Sequence, residues 1–267
     1  METKKIKFLT IAFALLMGIS FTSCLKSDSS ESTYDGMGFV RVGGYGTYFY
    51  DSAGNKLYPT SASLLEMETN YSFKMSTTNL AYIVYKLVDT NSGSSKAAES
   101  TSKNYNVKLV SAISYDGIDP ITVSTSEELS DVTENAPIVT LKPQDSYGSQ
   151  FSPLFFDSET LIIPIQWRME NKTETFAQHK VRLVYVEADT KQGDTNMILY
   201  LRHDRGTDEK TDVIASSYEG YNISSIIYQF KSIAGASPKT ITVKAKEAST
   251  GSTLPDNYTE YSLDYKY

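Results

Sequence analysis

Alternation of apolar and polar side chains with period two, repeated in short segments from Gly36 onward, most limits what this chain can become. Successive side chains of an extended strand point to opposite faces, so the pattern suits strands with one buried and one wet face. Tyr105, Val107 and Leu109 alternate with Asn106 and Lys108. Leu161, Ile163, Ile165, Trp167 and Met169 alternate with Ile162, Pro164, Gln166 and Arg168, and Ile241, Val243 and Ala245 with Thr242, Lys244 and Lys246. No apolar stripe of helical period runs beyond about three turns. The 20 Tyr and 11 Phe among 267 residues also suit pleated, half-buried surfaces. The fold class expected is all-β.

In the first half, Phe39-Val40-Arg41-Val42 leads into the turn dipeptide Gly43-Gly44, and Tyr45 to Asp51 reads as an aromatic strand. Asp51 to Asn55 is a turn and Lys56 to Pro59 a short strand. Tyr71, Phe73 and Met75 alternate with Ser72 and Lys74, which predicts a half-buried strand. Leu80 to Val88 is apolar on both faces apart from Lys86, as a central strand would be. Asn91 to Lys103 is a polar loop, and a further strand runs from Tyr105 to Tyr115. Short strands over about 80 residues match a small five-stranded Greek-key barrel of the OB type, here residues 36–116.

Residues 117–136 read as a polar linker containing Pro120, with Thr125-Ser126-Glu127-Glu128 capping one short helix. A β-sandwich domain is expected over 137–250, with strands at 161–169, 181–187, 197–203, 223–230 and 240–246. Pro164 has no N–H to donate, so its strand belongs at an edge or carries a bulge. Residues 251–267 read as a loosely docked C-terminal tail. No repeat of fixed period is visible.

Residues 1–23 read as an export signal. Lys4, Lys5 and Lys7 precede the apolar run Phe8–Ile19, which is shorter than the roughly 20 residues that span a bilayer. Phe21-Thr22-Ser23-Cys24 follows and resembles the lipobox of bacterial lipoproteins, in the looser form of Bacteroides-like bacteria. That resemblance implies acylation of Cys24, a lipid anchor in the outer membrane, and a flexible polar tether over 24–35. Cys24 is the single cysteine, which excludes an internal disulfide framework and any Cys-based zinc site.

The chain carries 25 Lys and Arg against 32 Asp and Glu, a net charge of -7. Nucleic acid is therefore not expected as a partner, since binding it needs clustered positive charge. His179 and His203 are the only imidazoles, and neither lies in a metal-binding or catalytic spacing. No nucleophile elbow, phosphate loop or dinucleotide fingerprint is present, so no catalytic residue, metal or cofactor is assigned. Asp204, Asp208 and Glu209, and likewise Asp189 and Asp194, could ligate calcium, but they lack the spacing of a calcium loop and read as solvated hairpin turns. Tyr45, Tyr48, Phe49, Tyr50 and Tyr58 form an aromatic stretch. Two uses are open: rings filling the barrel core, or a platform on which a glycan stacks. Asp51-Ser52-Ala53 resembles the O-glycosylation acceptor of Bacteroides-like exported proteins, with Ser52 as the acceptor.

Taken together, the lipobox ending in Cys24, Phe39-Val40-Arg41-Val42, the Asp51–Gly54 turn before Leu57-Tyr58-Pro59, and Leu199-Tyr200-Leu201-Arg202-His203 resemble the NigD-like lipoproteins. The resemblance implies an N-terminal OB-type domain followed by a β-sandwich, and supplies no ligand or activity. The expected function is that of a non-enzymatic outer-membrane lipoprotein contacting a protein or glycan of the cell envelope. A fimbrillin-like subunit, donating a strand from Thr253–Tyr267, and a bacteriocin-immunity factor are the alternatives.

Overall fold

The computed structural model describes residues 34–88, 103–115, 117–144, 150–250 and 253–267. Cys24, the export signal, the tether up to Thr33 and the polar loop 91–102 lie outside the described residues. The described chain divides into two units between Gly117 and Ile118.

The first unit contains strands β1 (Gly36–Gly43), β2 (Tyr48–Tyr50), β3 (Lys56–Pro59), β4 (Leu80–Leu87) and β5 (Asn104–Ser114), with helix α1 (Ser61–Tyr71) between β3 and β4. They close into a barrel in the order β1-β2-β3-β5-β4. The β3–β5 pairing is parallel and the others are antiparallel. Val40, Phe49, Leu57, Ala81, Ile83, Val107 and Leu109 fill the interior, and Met67, Phe73 and Met75 pack with them. Each large apolar side chain among them stabilises the fold by roughly 1.5–3 kcal/mol through burial.

Helix α1 replaces the strand expected through Tyr71, Phe73 and Met75. Thr60 caps its start by accepting from the Ser63 N–H at 3.3 Å. Ser72 ends it in a left-handed conformation at φ 56, and the Phe73 N–H bonds back to the Met67 carbonyl. Phe73 and Met75 are buried as expected, but they sit after the helix, Met75 opening a single 3₁₀ turn, Met75–Thr77. Three alternating residues are too few to separate such a turn from a strand.

The second unit is built of two sheets. Strands β6 (Ile121–Val123), β9 (Lys180–Val186), β10 (Asn196–Asp204), β12 (Thr240–Ala245) and β13 (Thr259–Asp264) form one, in the order β13-β12-β10-β9-β6. Strands β7 (Leu154–Phe155), β8 (Thr160–Met169) and β11 (Val213–Asn222) form the other, in the order β11-β8-β7. Short helices α2 (Ser126–Leu129) and α3 (Thr173–Phe176) and the longer α4 (Ser224–Ala234) complete it. Leu161, Ile163, Ile165 and Trp167 from one sheet meet Leu183, Tyr185, Leu199, Leu201 and Val243 from the other in a sandwich-like core.

Four features of this half depart from the sequence pattern. Residues 117–136 are not a free linker, because β6 pairs in parallel with β9, and Ile121, Val123 and Val132 pack with Leu129 on Val184 and Val186. The short helix is capped as expected, by Thr125 Oγ1 accepting from the Glu128 N–H at 3.3 Å. Residues 223–230 are not a strand but largely helical: Ile226, Phe230 and Ala234 recur at helical spacing and enter the core. Strand β11, rich in small residues, carries no alternation that marks it. The expected loosely docked tail instead contributes β13 over Thr259–Asp264, which pairs antiparallel with β12 and buries Tyr261. Pro164 lies in the middle strand of its sheet, neither at an edge nor in a bulge, and its missing N–H falls between the pairing of β7 with Leu161 and Ile162 and the bridge of Thr140 to Gln166.

Candidate functional site

Interior residues at alternate positions of the barrel strands force their neighbours outward. With Val40, Phe49, Leu57 and Val107 inside, Arg41, Tyr48, Tyr50, Lys56, Tyr58 and Asn106 occupy the outer face. The register arranges them in two rows. Arg41 stands opposite Tyr50, Tyr50 opposite Lys56, and Lys56 opposite Asn104. In the next row Gly43 faces Tyr48, whose ring neighbours that of Tyr58, and Tyr58 faces Asn106. The rings of Tyr48 and Tyr58 lie 5.4 Å apart, and the Lys56 ammonium sits 4.7 Å from the Tyr48 ring centre. The aromatic stretch is therefore split: Phe49 fills the core, while Tyr48, Tyr50 and Tyr58 face out, all three half-buried.

Two glycines make this surface possible. A Cβ on Gly43 would come within 2.5 Å of the Tyr48 ring, so its absence lets the ring lie against the backbone. Gly44 precedes Tyr45, which adopts φ 56 and is fully exposed at the head of the β1–β2 turn. A left-handed conformation costs a residue with a Cβ about 1–2 kcal/mol. The turn is held by Gly46 and Thr47 N–H groups on the Gly43 carbonyl, both at 3.1 Å. Ser52 is exposed in the β2–β3 turn, where Asp51 Oδ1 accepts from the Ala53 and Asn55 N–H groups at 2.9 Å each.

The two histidines, unpaired by sequence spacing, meet in space. Antiparallel pairing sets His203 of β10 against Val181 of β9, close to His179 in the chain. His179 Nδ1 lies 2.9 Å from His203 Nε2, His179 Nε2 lies 3.1 Å from Asp208 Oδ2, and His203 Nδ1 lies 3.2 Å from the Pro137 carbonyl. Trp167 stacks on His179 with centroids 5.8 Å apart. The side chains of His179 and Asp208 are both 1% exposed.

Proton counting shows what this chain of groups holds. The Pro137 carbonyl can only accept, so three hydrogen bonds need three protons shared among the two imidazoles and the Asp208 carboxyl. Burial pushes His203 down to about 4 against the opposing carbonyl of Pro137, so this ring is neutral. Burial raises Asp208, but the Glu170 and Lys210 N–H groups and His179 outweigh it and hold the carboxyl below its usual range. All four ring nitrogens are engaged inside the protein, which makes the cluster a structural node with nothing presented to a substrate.

The acidic residues weighed as calcium ligands are likewise engaged, Glu209 aside. Asp208 accepts from Glu170 and Lys210 N–H groups at 2.8 Å each. Asp204 Oδ1 accepts from the Gly206 N–H, Asp189 from the Tyr200 hydroxyl, and Asp194 from the Lys191 N–H. Residues 189–194 do turn between paired strands, whereas the segment after Asp204 crosses from one sheet to the other. Among the described residues no group of three or more His, Cys, Asp or Glu is placed to hold a metal ion.

Leu199-Tyr200-Leu201-Arg202-His203 now has a physical reading. Leu199, Leu201 and His203 face inward, and Tyr200 and Arg202 serve the other face of β10. Arg202 and Lys246 each reach Glu134 at 3.5 Å, a carboxylate only 2% exposed that no sequence motif marks. Burial raises the Glu134 carboxyl, opposed by these two cations.

No family model matches the chain, and neither does any curated protein. Among solved structures, a candidate lipoprotein of Bacteroides fragilis is similar at 28% identity and a TM-score of 0.67, over 86% of this chain and 97% of that one. A NigD-like immunity protein of Bacteroides caccae is similar at 11% identity and a TM-score of 0.51, over 89% of this chain and 100% of that one. At the latter identity the fold is what is shared. Both neighbours are consistent with the resemblance to the NigD-like lipoproteins.

Proposed function

We propose that the chain is a non-enzymatic lipoprotein of the outer membrane, anchored by acyl chains on Cys24, that contacts a protein or glycan of the cell envelope. The observation carrying the contact role is the outward aromatic and cationic face of the barrel, with Tyr45 fully exposed at its rim. Two or three acyl chains, at about 0.8 kcal/mol per buried methylene, hold a soluble domain on a membrane durably. The segment that a strand-donating fimbrial subunit would need, Thr259–Asp264, is paired within its own sheet, which favours the contact role over the fimbrillin-like one.

The test is fractionation of cells producing the full-length chain or Cys24→Ala, with a surface protease added to intact cells. Wild type in the outer-membrane fraction and a released variant are expected. Equal release of both would refute the anchor. Turnover of a polysaccharide or ester by purified protein, abolished by one carboxylate substitution, would refute the non-enzymatic reading.

A further inference from the structure

We infer that the outer face of β1, β2 and β3 is a platform for an acidic carbohydrate chain, which deepens the contact role proposed above and rests on it. Tyr50 and Tyr58 offer ring faces to the flat C–H faces of sugars, and the Lys56 ammonium, held over the Tyr48 ring, meets their carboxylate or sulfate groups. Tyrosine suits this use, because the ring gives contact area and the hydroxyl remains available to sugar hydroxyls. Asn104 and Asn106, at the ends of the two rows, add amide donors and acceptors.

Charge selects the ligand. Lys56 stands in rows that hold no carboxylate, on a chain whose net charge is -7. The nearest carboxylate in sequence, Asp51, has Oδ1 taken by two backbone N–H groups and Oδ2 by the Asn55 side-chain amide at 2.8 Å. Among the described residues Lys56 is held by an aromatic ring and not by an acid. An anion arriving at Lys56 therefore has no ion pair to displace. A patch this small suits the sparse charge of a uronate or a sulfated sugar. Dense phosphate of a nucleic acid would be repelled by the acidic balance of the whole chain. The closed barrel leaves no free edge on which a peptide could add as a strand.

Tyr45 adds a wholly exposed ring at the rim of this face, its backbone held at φ 56 by the tight turn between Gly44 and Gly46.

The experiment uses the full-length chain in detergent micelles and titration calorimetry. The probes are polygalacturonate oligomers, dextran sulfate, uncharged maltodextrin and poly(dT). Binding of a carboxylated or a sulfated probe is expected, and which of the two binds names the anion. Lys56→Gln and Tyr58→Ala should each weaken it about tenfold. Tyr45→Gly should weaken binding while raising Tm, since it relieves the turn; this variant keeps the test independent of folding. Equal binding of maltodextrin, or tighter binding of poly(dT), overturns the acidic-carbohydrate inference. If no probe binds, a photo-crosslinking residue at position 58 separates the two readings. Crosslinks to an envelope protein overturn the carbohydrate inference and leave the contact role standing, and no crosslinks overturn both.

Discussion

Replacing Asp208 by alanine tests whether the histidine chain is the structural node its geometry describes. The carboxyl group accepts from two backbone N–H groups at 2.8 Å and lies 3.1 Å from His179, with the side chains of both residues 1% exposed. Alanine leaves the two backbone groups without an acceptor, at about 1–3 kcal/mol each when buried. It also leaves His179 Nε2 without the partner it holds at 3.1 Å, a buried polar group whose loss of a partner adds a similar cost. The two costs overlap, so a loss of about 3–5 kcal/mol is expected. Asparagine keeps an acceptor for one backbone group and can turn its amide N–H toward His179. Its amide nitrogen then opposes the remaining backbone N–H, and the loss should be smaller, about 1–3 kcal/mol. Urea unfolding at neutral pH reads both values, with the slope unchanged if only the native state is affected. If both variants unfold within about 0.5 kcal/mol of wild type, the hydrogen-bond count is wrong.

The remaining predictions concern acid, packing and the C-terminal strand. His203 is displaced from 6.5 to about 4 in the folded chain. The unfolded chain therefore takes up the proton first, and stability present above pH 6.5 is lost as pH falls toward 4, by roughly 3 kcal/mol; urea midpoints across that range should show it, and a flat profile would refute it. Phe49→Ala, which empties a fully buried ring site in the barrel, should cost about 3–5 kcal/mol. Tyr58→Ala on the outer face should cost under about 1 kcal/mol, and equal losses would show that the rings are not divided between core and surface. Gly43→Ala should push Tyr48 off the backbone and change the near-UV circular dichroism of the tyrosines. Deleting residues 253–267 removes β13, opens the edge of β12 and takes Tyr261 from the core, so the shortened chain should unfold at lower urea and aggregate.

Strands whose two faces differ are legible in the amino-acid sequence alone. Tyr105 to Leu109 and Ile241 to Ala245 can be read by eye because polar residues separate the apolar ones. Legibility fails where the signal is weak in kind. In β11, Ala215, Ser216, Ser217 and Gly220 give neither face a strong preference. In and just before α4, Ile223, Ile226 and Ile227 are β-branched residues that suggest a strand by composition while their spacing is helical. Period also decides the aromatic stretch, though only together with register, since moving it by one residue would bury Tyr48 and Tyr50 and expose Phe49. The histidine chain is illegible for a different reason. His179, His203, Asp208 and Pro137 are brought together by strand pairing and by a crossing between sheets, and nothing local in the sequence marks that meeting. Glu134 is hidden likewise, because a buried carboxylate is recognised by its partners, and Arg202 and Lys246 lie far along the chain.

The order of strands has a consequence for the chain while it is being made. Every pairing of the barrel is complete once Ser114 has emerged, so that unit can close early. The five-stranded sheet runs the other way: β10 waits for β12, a parallel neighbour reached only after β11 and α4, and β12 waits for β13. Until Thr259–Asp264 appear, β10 or β12 presents a naked row of backbone donors and acceptors beside uncovered Leu199 and Val243. A growing chain in this interval is the form most prone to clump with its neighbours and the easiest for a holding chaperone to grip.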